Sequence, residues 1–90
     1  MEYTIREAIA EDMQYVLELI KELASFEKEA NAVEVTADDL VHDGFGAEKL
    51  FHCFVAVSNS KIVGMALIYN RYSTWKGPII HLEDLVVSET

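Results

Sequence analysis

From Glu11 to Phe26 apolar residues recur at Met13, Val16, Leu17, Ile20, Leu23 and Ala24, the i, i+3, i+4, i+7 spacing that lines one face of an α-helix. Glu11 and Asp12 stand at its start, where the macrodipole favours negative charge. The segment before it has a different period. In "YTIREA", Tyr3 and Ile5 alternate with Thr4 and Arg6, which predicts a short first strand. After the helix, "EKEANAVEV" keeps no period and reads as a polar connection. "VTADDLVHDGFG" then supplies Thr36 as N-cap and Asp39 at the third helical position, a capping box with Asp in place of the usual Glu. It predicts a helix of one to three turns, ended by Gly44 and Gly46. That G-x-G follows a helix rather than a strand, so it is read as a terminator and not a phosphate loop.

From Phe51 onward the pattern is that of strands. Phe51 to Val57 is almost continuously apolar, as expected of a strand covered on both faces, and Ile62 to Tyr69 is a second such run with Tyr72 as its outer limit. "SNSK" between them reads as a tight turn, "STWKGP" as a longer connection, and Ile79 to Val87 as a fourth strand. These elements predict an α/β fold in the order β-α-α-β-β-β with a mainly antiparallel sheet. They make a single domain over residues 1–90, without repeats or an interior linker.

Composition narrows the function classes. Of 90 residues 51% are hydrophobic and 26% charged, a globular composition. Sixteen Asp and Glu against seven Lys and Arg give a formal charge of -9. Such a field repels nucleic acid and anionic membranes and attracts small cationic amines, although the same charge also serves plain solubility. The acidic N-terminus is unlike a signal peptide, and no apolar run reaches the roughly 20 residues that cross a bilayer. A cytoplasmic protein with neither membrane nor nucleic-acid partner is expected. Cys53 has no second cysteine to pair with, and its neighbour His52 faces the opposite way along a strand, so a buried core thiol is expected. His42, His52 and His81 lack metal-ligand spacing, so no metal is expected.

Two acids interrupt the last strand, Glu83 and Asp84 in "HLEDLVVSET". Consecutive strand residues point to opposite faces. Either the two acids serve different surfaces or a β-bulge redirects one of them.

The order of elements, together with "LIKELASFE", "DGFG" followed by "FHCFVA", and "WKGPIIHLEDLVV", resembles the GNAT superfamily of N-acetyltransferases, and within it the diamine (spermidine/spermine) group. The resemblance implies transfer of an acetyl group from acetyl-CoA to a primary amine: a diamine, a polyamine or a lysine-like small molecule. An alkylamine with a pKa of about 10 is protonated at neutral pH and must lose a proton before it can attack. By resemblance Glu83 is the general base and Asp84 holds the amine. Trp75, with Tyr72 beside it, contacts the aliphatic part of the substrate or packs the hairpin end. Glu27 lines the substrate groove or is an exposed helix-end glutamate. The strand backbone at Leu85, Val86 and Val87 meets the acyl carbonyl of the cofactor. Glu83, Asp84 and Trp75 are expected to converge near one loop. One departure is Ser73, where the family has an acid, which leaves shorter amines open. The family's Arg/Gln-x-x-Gly-x-Gly/Ala turn, which binds the coenzyme A pyrophosphate, would follow this strand and lies outside the sequence. The 90-residue chain is therefore expected to be an incomplete domain, inactive, without measurable acetyl-CoA affinity, and a homodimer or strand-exchanged oligomer. The rival expectations are a non-catalytic acidic binding module and a structural fragment that joins another chain.

Overall fold

A computed structural model describes residues 2–88. The expected order β-α-α-β-β-β is found: β1 (Thr4–Glu7), α1 (Met13–Phe26), α2 (Ala37–Phe45), β2 (His52–Ser58), β3 (Lys61–Ser73) and β4 (Gly77–Val87). The strands form one sheet in sequence order, each antiparallel to its neighbour. A single turn of 3-10 helix at Ala10–Asp12 leads into α1, so the regular helix begins two residues later than its apolar stripe suggests. Asp12 causes this. Its carboxylate accepts the Ile9 N–H at 2.8 Å and both arms of the Arg6 guanidinium at 2.8 and 3.1 Å, tying the helix entrance to β1. The Arg6 hydrogen bond holds this carboxyl below its ordinary value.

At α2 the capping box is complete: Asp39 N–H donates to Thr36 Oγ1 at 3.1 Å and Thr36 N–H to Asp39 Oδ2 at 2.9 Å. Gly46 caps the C-terminus, but Gly44 lies inside the helix and does not end it. Its purpose is packing, since a β-carbon there would collide with the Phe51 ring.

Met13, Val16 and Leu19 of α1 and Leu40 of α2 pack on Cys53, Val55, Met65, Leu67 and Val86 of the sheet. This is one side of the sheet only. On the other, Phe54 and Ala56 are half-buried while Ile5, Leu82, Leu85 and Val87 are exposed. The expectation that the second and third strands are covered on both faces is thus corrected: among the described residues both helices lie on the same side. Desolvation pushes the buried Cys53 thiol up to about 11, which leaves it a packing residue.

Asn59 and Ser60, with φ of 52 and 63°, make the two-residue turn between β2 and β3. The second hairpin is tighter than "STWKGP" suggests, because β3 runs to Ser73 and β4 begins at Gly77. Ser73 Oγ accepts the N–H groups of Trp75 and Lys76, both at 3.2 Å, and Gly77 takes φ of 85° to close the turn.

Candidate active site

The pairing of β3 with β4 changes register once. Leu67 faces Asp84 and Ile68 faces Leu82, so Glu83 is an extra residue with no partner, a β-bulge. On the tip side of the bulge, His81 pairs with Tyr69 and Ile79 with Arg71; on the other, Val86 pairs with Met65. Because Met65, Leu67 and Tyr69 share the helix side, so do Val86, Asp84, His81 and Ile79. The bulge keeps Asp84 on that side although it lies an odd number of residues from His81. Glu83 turns the same way. Its Oε1 stands 3.9 Å from His81 Nε2, and its charge is felt at Asp84. The His81 ring tilts against Tyr69 with centroids 5.2 Å apart.

Asp84 is half-buried. Burial raises its carboxyl above the ordinary aspartate value, and the neighbouring charges of Glu83 and then Glu27 raise it further. Glu27 is the residue that caps α1. Three of the candidate residues, Glu27, Glu83 and Asp84, are thereby brought together where the helix ends over the bulge. Beside them a groove of about 430 Å³ runs between α1 and β4, lined by Glu22, Leu23, Ser25, Phe26, Leu85, Val86 and Val87. Val86 is buried under the helix, whereas Leu85 and Val87 project to the opposite face and are exposed. On its outer side β4 has no neighbouring strand among the described residues, so its outward N–H and C=O groups lie outside any ladder.

Trp75 and Tyr72 are not in this cluster. Trp75 sits in the hairpin turn and is 93% exposed, and Tyr72, paired with Pro78, lies on the face opposite to Asp84. Seven residues of strand separate Gly77 from Asp84, roughly 20 Å. The convergence of Trp75 with the acids expected from the resemblance is corrected: the turn lies at the far end of the hairpin, seven strand residues from Asp84. Two residues close to the acids, His81 and Tyr69, were not singled out as site residues. The signal for them was their pairing one step from the bulge, which only the register reveals. Among the described residues no group of three His, Cys, Asp or Glu side chains could hold a metal ion, and no helix is long and apolar enough to cross a membrane.

The raised carboxyl of Asp84 has a consequence for stability. The folded state holds this proton more tightly than the unfolded chain, so stability falls as pH rises from the ordinary value of 3.8 through the raised one. Above that window the ionised group is a constant cost. Asp84→Asn, which cannot ionise, is expected to melt higher than the parent at pH 7 and to lose that advantage below about pH 3.5. Thermal unfolding at the two pH values checks it; an advantage that persists in acid would mean that charge is not its cause.

Residues 9–90 match the Acetyltransferase (GNAT) family. The chain is 43% identical over 91 residues to a thialysine N-epsilon-acetyltransferase of Bos taurus, covering 92% of this chain and 54% of that protein. It is 42% identical over 94 residues to the spermidine/spermine N(1)-acetyltransferase-like protein 1 of Homo sapiens, covering 97% of this chain and 14% of that one. The chain thus spans about half the length of the first relative and less of the second. Among solved structures, an aminoglycoside acetyltransferase from an uncultured soil metagenomic sample, in complex with sisomicin, superposes with a TM-score of 0.69 at 22% identity, over 97% of this chain and 57% of its own. A possible acetyltransferase from Clostridium difficile 630 gives 0.66 at 22% identity, over 99% and 59%. These two likenesses concern the fold alone.

Proposed function

Because the chain belongs to the GNAT acetyltransferase family, we propose that it carries the amine-recognition and acyl-positioning part of an N-acetyltransferase that moves an acetyl group from acetyl-CoA to a cationic primary amine. The observation that supports this reading most is the bulge at Glu83, which turns Glu83 to the side of Asp84 and Glu27 beside the groove along β4. Three carboxylates this close repel one another, and an ammonium group relieves that repulsion. Asp84 and Glu27 bind the ammonium; Glu83 accepts its proton, directly or through a water, and His81 lies within reach to pass the proton on to solvent. The apolar walls from Leu23 and Phe26 and the free edge of β4 at Leu85 to Val87 fit an extended acyl arm, with backbone N–H groups available to an acyl oxygen. Acetyl-CoA supplies the acetyl group there. The amines named for the relatives, spermidine, spermine and thialysine, define the class of substrate to try first.

In the test, a complete acetyltransferase domain that contains this chain is given acetyl-CoA and a cationic amine, and both release of the free thiol and binding of the amine are followed as salt is raised. Thiol release with an affinity that falls several-fold between about 0.05 and 0.5 M salt is expected, since exposed charges act within a Debye length of about 10 Å at 0.1 M. Salt-independent turnover, or preference for an anionic acceptor, would overturn the reading. Amine binding without thiol release would replace the enzyme by a non-catalytic amine-binding module.

A further inference from the structure

The sheet face that carries the acids continues toward the hairpin tip, and its chemistry changes on the way. Leaving Asp84 and Leu67, the next pair on the helix side is His81 with Tyr69, then Ile79 with Arg71, then Gly77 with Ser73. No carboxylate occurs on this face of the two strands beyond the acid cluster. The Ser73 hydroxyl is already engaged by the turn N–H groups of Trp75 and Lys76. Arg71, by contrast, is exposed and makes no hydrogen bond or ion pair with any described residue, in a chain where acids outnumber Lys and Arg sixteen to seven. An unpaired guanidinium in so acidic a chain is available to an anion from outside.

We propose that Arg71 is a specificity-determining residue that receives a carboxylate at the far end of the amine substrate, so that the site selects an ω-amino acid over a diamine. This rests on the reading of Glu27, Glu83 and Asp84 as the amine site. Four residues separate Leu67 from Arg71, roughly 13 Å of strand, a span covered by a molecule of about the length of lysine together with the reach of the arginine itself. The aliphatic part of such a molecule would lie over the Tyr69 and His81 rings and Ile79. A diamine in the same position brings its second ammonium to a guanidinium, with no carboxylate on this face to offset the repulsion. A carboxylate there finds a fork of donors of the right charge.

Three six-carbon probes separate the terms: hexylamine, hexamethylenediamine and ε-aminocaproate, each titrated into the intact chain at low salt and followed by the ring resonances of Tyr69 and His81. The aminocaproate is expected to bind about 5- to 10-fold more tightly than the diamine, a modest factor because Arg71 is exposed. Arg71→Gln should remove that difference while leaving hexylamine binding unchanged, and Arg71→Glu should reverse the order. Arg71 lies outside the core, so unchanged chemical-shift dispersion is expected in both variants. Equal binding of aminocaproate and hexylamine to the parent, tighter binding of the diamine, or a fall for all three probes in Arg71→Gln would overturn the role of Arg71 and leave the amine site standing. Failure of hexylamine itself to bind would remove the amine site, and the inference with it.

Discussion

In a complete acetyltransferase domain that contains this chain, Glu83→Gln is expected to lower acetyl transfer at neutral pH by about 10²-fold, the usual contribution of a positioned general base. The amide keeps the size of the side chain and its place in the bulge but cannot take a proton from an ammonium. Amine binding should weaken much less, because Asp84 and Glu27 still present their charges, so the loss falls on kcat rather than on KM. Asp84→Asn should show the opposite division, with the larger change in KM. The pH profile gives the sharper reading. In the parent a limb that rises with pH is expected, and it should disappear in Glu83→Gln. A limb that survives unchanged in the variant would show that another group takes the proton.

Met13→Ala is expected to destabilise the fold by about 2–5 kcal/mol, the range for truncating a large buried side chain. Met13 opens α1, is fully buried and joins the helix to the sheet in the single core. A domain of this class holds only roughly 5–15 kcal/mol in total. The helices, moreover, cover one side of the sheet among the described residues, so little else absorbs the loss. Urea unfolding should give a lower midpoint with unchanged slope, whereas a comparable truncation at the exposed Ile80 should move the midpoint little. Equal effects at the two positions would mean that the core is not where the buried residues indicate.

Much of this architecture could be read from the chain, because the features that fix it are local. The stripe from Met13 to Ala24 has one period and one face, the Thr36 and Asp39 pair caps a helix within four residues, and the Asn59-Ser60 turn is set between two apolar runs. What could not be read depends on pairing across the sheet. Phe51 to Val57 looks the same whether one face is covered or two, and Gly44 looks like a terminator until Phe51 is packed against it. The acids at Glu83 and Asp84 were visible as an interruption, but whether they face apart or together turns on a single unpaired residue that no alternation rule specifies. The convergence of Trp75 with the acids is expected from the resemblance and not from any local pattern, and in an extended strand the eight positions that separate Trp75 from Glu83 are a long way.

The bulge can also be considered as a matter of length. Without Glu83, Asp84 would follow Leu82 in unbroken alternation, and every other side chain of β4 would keep the face and partner it has now. The architecture therefore uses ten residues where the strand contains eleven. The proposed proton acceptor is the surplus one, held outside the ladder at the single shift of register. Such a residue is free of the demands that constrain its neighbours: it packs against nothing in the core and sets no register. A strand one residue shorter would keep the pairing of its neighbours, and the side chain missing from it would be the acid.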